Sequence, residues 1–491
     1  MKVGIIGAGL GGLSAGCLLA AEGHEVTIFE KNRQPGGKIN QVYDSGFRFD
    51  TGPSLLTMPF VLEQLFERCG ADIWDYLEIN TVDPIARYFY PDGTRFDCSN
   101  DREKTVENIT RIAPEDRESY RSFLDYSEEL YDRVREAFLF NPLCSFSDLR
   151  SLNLIDFFKI DAFHTVSERV DEYFESVYLR QFFKRFTTYN GSSPYQAPAT
   201  LNVIPHVELS MGGYYIDGGI YRLVTALSRL AGKLDVDIHY GATVKRIATA
   251  GRQVEGLVMD DGSTRPFDLV VSNSDASETY RNLLPEELLS RVKRWQLKAQ
   301  EPSCSGFVIL AGIDQTYPQL AHHNILFSSD YREEFRQIFK DRMPADEPTI
   351  YICNSSASNP GHAVDGGSNL FILVNAPYLT DAVHWESIKE GYADMIISLL
   401  EKYGLDGLSK SMKVRRLITP DDFYRRYRSN KGSIYGTSSN GKLAAFLRPR
   451  NRSTGVRGLY LVGGSTHPGG GIPLVTLSAF HACELIRRDR A

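Results

Sequence analysis

The chain is poor in anything that would cross-link it or hold a metal by spacing alone. Its 491 residues include seven cysteines, scattered with no C-x-x-C pair and no ligand spacing. That excludes a disulfide framework and an iron–sulfur site, and predicts reduced thiols on the cytosolic side of a membrane. Basic charge is lacking too: the formal net charge is -7, so nothing points to nucleic acid. Long apolar runs are missing. The longest uncharged stretch, Val3 to Ala21, is interrupted by glycines and starts almost at the terminus, so no spanning helix is expected there. No charged leader precedes an apolar stretch and a cleavage site, so no export is expected. Internal repeats and low-complexity linkers are absent. No triad, metal cluster or paired carboxylate stands out.

What is present is a globular composition, 42% hydrophobic and 24% charged. The length predicts two or three domains. Twenty-seven Phe and 26 Tyr could fill a core or line a site for a flat, greasy ligand.

The N-terminal segment "MKVGIIGAGLGGLSAGCLLAAEGHEVTIFEKN" carries the most information. Lys2 to Gly7 reads as a strand, followed at once by Gly7-x-Gly9-x-x-Gly12 and a helix over Leu13 to Glu22. Gly23 ends the helix, and a second strand closes on Glu30. A G-x-G-x-x-G in this βαβ context, with an acid at the end of the second strand, signals a bound dinucleotide. Gly7 makes the turn. Gly9 lets backbone approach a pyrophosphate, and Leu10 and Gly11 beside it belong to the same expected cofactor-binding turn. Gly12 lets helix and strand pack closely, and Glu30 accepts from a ribose diol. The free N–H groups at the helix start face the phosphates.

The chain then continues with a second glycine pair, Gly36-Gly37, then Lys38, an alternating strand from Val42 to Phe49, and Asp50-Thr51-Gly52-Pro53. Glu30-Lys31 followed by Gly36-Gly37-Lys38 resembles the FAD-binding start of the flavin amine oxidase and phytoene desaturase superfamily. The resemblance implies FAD rather than NAD, with the second glycine pair under the diphosphate and ribityl chain.

From Asp101 to Phe140 the apolar positions fall three and four apart, a helical pattern. "FLFNPLCSFSDLRSLNLIDFFKIDAF" is rich in Leu and Phe, and in "VYLRQFFKRF" Arg180, Lys184 and Arg185 flank aromatic residues. Apolar beside basic residues predict a helix lying in a membrane interface. Gly212-Gly213 and Gly218-Gly219 match the superfamily's second FAD segment, or are tight turns only. Further along, Asp260-Asp261-Gly262 marks a hairpin, and Asp268 to Ser272 reads as a parallel strand. The same resemblance implies that Val244 contacts adenine through its backbone and that Asn273 and Asp275 lie near the cofactor. "ARYFYPDGTRFD", "SGFVILAGID", "TIYICN" and "NLFILVNAP" predict one antiparallel sheet, the floor of a substrate cavity.

Near the C-terminus, "LYLVGGSTHPGGGIPLVTLSAF" again puts strand, glycine turn and helix together. Gly463-Gly464 ends the strand, and Gly471-Ile472-Pro473 opens a helix. His467 to Pro473 resembles the HPG-x-G-x-P signature of bacterial-type carotenoid desaturases, with a feel closest to hydroxycarotenoid 3,4-desaturases and diapophytoene desaturases. Both ends of the chain would thus grip one FAD.

The fold class implied is α/β: a discontinuous Rossmann-like FAD-binding domain (1–80, 206–280 and 416–491), an antiparallel-sheet substrate domain (81–100 and 281–415) and a helical, membrane-facing subdomain (101–205). The implied function is FAD-dependent desaturation of a carotenoid, with hydride passing from the polyene to flavin N5 and oxygen or a quinone as electron acceptor. Alternatives are cis–trans isomerisation and oxygenation of a terminal methyl. Candidate proton acceptors are His467, Glu208 and Asp217, although His467 beside Pro468 could simply shape the turn. A cytoplasmic protein at the membrane surface is expected.

Overall fold

The N-terminal glycines act by what they lack. In the computed structural model, which describes residues 1–142, 160–441 and 448–490, strand Lys2–Ile6 leads into helix Leu10–Ala21 and strand Glu25–Glu30. The helix begins at Leu10, earlier than the Leu13 expected, because Gly11 and Gly12 belong to its first turn. A Cβ on Gly12 would lie 2.0 Å from the Gly7 carbonyl oxygen, so only glycine lets this turn sit against the strand end. The helix is apolar all round and is almost wholly buried, as such a helix must be.

These elements join a five-stranded sheet in the order Leu459–Leu461, Leu269–Ser272, Lys2–Ile6, Glu25–Glu30, Asp237–Tyr240. All its pairings are parallel. The chain leaves the central strand to one side and later returns on the other. At such a switch point a crevice opens beyond the carboxyl ends of the strands. Helices Tyr221–Lys233 and Ile472–Arg488 flank helix Leu10–Ala21, so three distant chain segments share one core.

The segment Val42 to Phe49, expected as one strand, is a hairpin: Gln41–Asp44 against Phe47–Asp50. Ser45 (φ 49°) and Gly46 (φ 84°) both take the left-handed turn a two-residue hairpin needs. Its Arg48 bonds Asp50 at 2.9 Å. The Asp50 carboxylate in turn accepts the Ile220 and Tyr221 N–H groups at the start of helix Tyr221–Lys233. Gly218-Gly219 thus has a packing task of its own. A Cβ on Gly219, at φ +100°, would lie 2.2 Å from the Arg48 guanidinium. Gly219→Ala is accordingly expected to cost roughly 1–3 kcal/mol through strain and crowding, read as a lower thermal midpoint; an unchanged midpoint would contradict this role.

The second sheet has seven strands, in the order Met412–Ile418, Ser305–Ile313, Ser368–Ala376, Ile350–Asn354, His323–Leu326, Ala86–Phe89, Arg95–Cys98. It contains the four expected pieces but is not purely antiparallel. His323–Leu326 runs parallel to Ala86–Phe89, because those two strands are joined by a long crossover and not a hairpin. Alternation sorts its faces. Leu370, Ile372 and Val374 pack under helix Trp385–Lys402, while Phe371, Leu373 and Asn375 look into a cavity.

A helical layer covers the far side: Arg102–Ile112, Arg117–Val134, Val166–Tyr173 and Val177–Lys184. The last of these corrects an expectation. Phe182, Phe183 and Phe186 are buried, packed with Phe123 and Phe174, Lys184 bonds Asp171 at 2.6 Å, and Arg185 points inward. Lys184 pairs with Asp171 and Arg185 with buried Glu208, while Arg180 stays partly exposed beside Asp171, so the aromatic face of this helix packs into the core and does not lie in an interface. Most of "FLFNPLCSFSDLRSLNLIDFFKIDAF", also expected at an interface, lies outside the described residues. Among those described, no helix is long and apolar enough to cross a membrane.

Candidate functional site

A cavity of about 980 Å³ begins at the carboxyl ends of the parallel strands and runs to the inner face of the second sheet. Its first wall is Gly7, Gly9, Leu10 and Gly11, at the start of the first helix. The first turn of any helix leaves its N–H groups unpaired, a ready site for a phosphate. Gly12 lies behind this wall and acts only through packing. Glu30 is buried at the strand end. One of its carboxylate oxygens accepts the Ala8 N–H at 2.8 Å, and the other accepts both N–H groups of Asn32. Glu30 thereby fixes the glycine loop while lining the cavity.

The two ends of the chain meet at Asn273. Its backbone N–H bonds the Ile6 carbonyl at 2.9 Å. A Cβ on Gly9 would come 2.7 Å from the Asn273 amide nitrogen, and one on Gly11 or Gly463 2.7 or 2.8 Å from its amide oxygen. Glycines from both termini thus close round one side chain.

The second glycine pair sits against the first loop. The Gly36 N–H bonds the Ala8 carbonyl at 2.8 Å, and Gly37 lies beside Gly9. Lys38 follows, with its ammonium donating to the Ser433 and Ile434 carbonyls. Burial lowers its pKa to about 8, against the pull of Asp275. Gly52 must be glycine because a Cβ would lie 2.0 Å from the Lys38 carbonyl oxygen. Gly52, Pro53, Lys31, Val244 and Asp275 all line the cavity. Asp275 also caps the short helix after it, accepting the Ser277 N–H at 2.9 Å.

On the C-terminal side, Gly463, Gly464, Gly471, Ile472 and Pro473 form the opposite wall. Gly471 (φ 105°) immediately precedes helix Ile472–Arg488, and a Cβ there would meet nothing within 4 Å among the described residues. Buried Arg448 reaches the Ser439 hydroxyl at 3.3 Å and lines the same wall.

His467 is not in that wall. It lies behind the turn, 1% exposed, with Nε2 near the Asn141 carbonyl at 3.2 Å and its ring 5.2 Å from the His481 ring. Burial lowers His467 to about 4 and His481 to about 3. A neutral ring behind the wall shapes the turn and is not itself a base at the cavity. The folded pKa values lie below the ordinary histidine value, so the unfolded chain binds more protons between them. The stability these rings contribute is present above about pH 6.5 and lost as pH falls through the folded values, at up to roughly 1.4 kcal/mol per pH unit for each. Urea unfolding at about pH 7 and about pH 5 should show that loss, reduced in His481→Leu; equal slopes in both proteins would contradict it.

The far half of the cavity is apolar and aromatic, with a buried polar cluster. Leu201, Val203, Ile204 and Val207 lie along one side, Val308, Phe371 and Leu373 along the other. Glu208, 1% exposed, accepts from Arg185 at 2.9 Å and from the Tyr189 hydroxyl. Arg185 also donates to the Tyr88 hydroxyl at 2.8 Å. The phenol of Tyr189 is pushed up by burial and by Glu208, so it stays a donor. Asp217, expected beside the cavity, instead faces solvent and bonds the Asn359 amide. Sequence reasoning missed Arg185, Tyr189, Arg448 and His323 as cavity residues, and placed Tyr351 only within the expected floor strand. Only Arg185 left a signal, a cation among aromatics, and it pointed outward.

The residues fit a flavin dinucleotide: a glycine-cleared helix start, a second glycine loop against it, and a facing helix start at the other wall. A family described as "Flavin containing amine oxidoreductase" matches residues 10–487. A 4,4'-diaponeurosporene oxygenase of Staphylococcus haemolyticus is 36% identical over 99% of this chain and 97% of its own length. One from Staphylococcus aureus strain MSSA476 is 36% identical over 99% and 98%. Among solved structures, an oxidoreductase from Methanosarcina mazei superposes with a TM-score of 0.66 at 17% identity, covering 99% of this chain and 100% of its own. Putrescine oxidase bound to putrescine gives 0.64 at 13%, covering 99% and 100%.

Proposed function

The chain belongs to the flavin-containing amine oxidoreductase family, and on that premise we propose that it oxidises a carotenoid, at a terminal methyl in the first reading and by desaturation in the second. The observation that supports this is the apolar, aromatic-walled half of the cavity, continuous with the glycine cradle. The names of relatives alike over nearly their full length, diaponeurosporene oxygenases, favour oxygenation over desaturation.

When bound, FAD supplies the two-electron acceptor that no side chain can be. Gly9, Gly11, Gly36 and Gly37 would let its diphosphate approach backbone, Glu30 its ribose, Val244 its adenine side, and Gly471-Ile472-Pro473 its ring end. Leu201, Val203, Ile204 and Val207 would hold the polyene extended and exclude water. Glu208, which accepts hydrogen bonds from Arg185 and Tyr189, would orient the substrate at the cavity wall. Conjugation in the polyene spreads the charge that develops on oxidation, which reduces the need for a strong base. In this proposal, residues 1–80, 206–280 and 416–491 form the cofactor domain and the rest holds substrate. A long polyene resides in lipid, so the proposal includes docking at a membrane surface, with oxygen or a quinone reoxidising the cofactor.

Co-expression with C30 or C40 carotenoid precursors in a colourless bacterium distinguishes the readings. Terminal oxidation gives a product that has gained oxygen; desaturation gives one that has lost hydrogen pairs. A product of unchanged mass with altered double-bond geometry would contradict both.

A further inference from the structure

Three side chains under the cavity floor converge without a task in the proposed oxidation. His323 and Cys353 stand directly opposite each other on antiparallel strands, where opposed residues share a face. The His322 ring lies 4.4 Å from the His323 ring. One ring nitrogen of each histidine and the Cys353 sulfur lie within 4.8 Å of one another. All three residues are buried, at 5%, 2% and 5% exposure.

Each imidazole is divided. Nδ1 of His322 shares a hydrogen bond with the Ser358 hydroxyl at 2.6 Å, and Nδ1 of His323 with the Tyr351 hydroxyl at 2.7 Å. Both Nε2 atoms are buried with no hydrogen-bond partner among the described residues. A metal-bound imidazole shows this division: one nitrogen ligates while the other is held by a hydrogen bond that fixes the ring. Two such rings beside one thiol are more than packing requires, since buried polar atoms are ordinarily paired.

We propose that His322, His323 and Cys353 form a three-coordinate site for a soft monovalent cation, Cu(I). Imidazole and thiolate donors suit copper or zinc and not magnesium or calcium. Structural zinc takes four ligands, and among the described residues no fourth His, Cys, Asp or Glu joins this group. Charge gives the same answer. Cu(I) with one thiolate is neutral, whereas Zn²⁺ would leave a positive charge in a buried place. Binding forms one copper–sulfur and two copper–nitrogen bonds, the thiol proton passes to solvent, and the metal keeps its oxidation state. The site ties strand His323–Leu326 to strand Ile350–Asn354 at the cavity wall, which His323 and Tyr351 also line.

The test is Cu(I) titration of the yellow, flavin-loaded protein under nitrogen, in competition with bicinchoninate. One copper per chain is expected, bound at least about tenfold more weakly in Cys353→Ser and in His322→Phe, with flavin absorbance retained. X-ray absorption of the wild-type copper protein should show one sulfur and two nitrogen neighbours, and it decides the question even where a variant fails to fold. No copper held against the competitor, undiminished binding in both variants, or a shell of two or more sulfurs would overturn the proposal. Zinc held in preference to copper would overturn the choice of cation.

Discussion

Gly9→Val is expected to yield a folded protein without its yellow chromophore. The Gly9 backbone faces the cavity, and a Cβ there would lie 2.7 Å from the Asn273 amide nitrogen. A valine would displace that amide and stand its methyls where a diphosphate must meet backbone. Overpacking of this kind costs roughly 1–3 kcal/mol, which the fold can absorb, while close approach of an anion is lost outright. Gly12→Val differs in kind: its Cβ would lie 2.0 Å from a backbone oxygen behind the wall, so it should prevent folding. The pair is read by circular dichroism and the flavin absorption of purified protein. A yellow Gly9→Val protein would remove the diphosphate from the first glycine loop.

The second large effect is on stability. Glu208→Leu leaves the Arg185 guanidinium buried among aromatic rings and phenol hydroxyls, without its carboxylate partner. Breaking one side of a buried ion pair costs about 3–5 kcal/mol, because the remaining charge is uncompensated. The double variant Arg185→Met, Glu208→Leu should recover most of that, since the buried charge is gone as well. The comparison is made on denaturant midpoints of the three proteins. If the double variant is less stable than Glu208→Leu by the full effect of a second lesion, the two residues do not act as a pair.

The contrast between these two sites shows what a sequence can convey. The glycine loops were legible because their cause is local. A missing Cβ between strand and helix has few other uses, and Gly7, Gly9, Gly11, Gly36, Gly463 and Gly471 all lie along the cavity. The parallel strand before Asn273 was legible for the same reason, as an unbroken apolar run. Arg185 was not legible. A cation among phenylalanines reads as a membrane-facing residue until its partner is known, and Glu208 lies 23 positions away. Asp217 and His467 failed in a related way. Whether an acid or a histidine beside glycines faces a cavity, solvent or a neighbouring ring depends on packing that spacing does not encode. The parallel pairing of His323–Leu326 with Ala86–Phe89 was hidden too, since a crossover of more than two hundred residues leaves no turn signal between them.

The most direct test of the central claim is anaerobic mixing of the purified yellow protein with an acyclic C30 carotenoid in lipid vesicles, followed by flavin absorbance. If glycine turns from both termini hold one flavin beside a polyene tunnel, the flavin band bleaches as oxidised carotenoid forms in equal amount: in either reading the hydride passes to the flavin, and in the first a single water adds to the resulting cation, supplies the oxygen and loses its proton. A band that stays intact, while the same preparation bleaches with an amine, would contradict it.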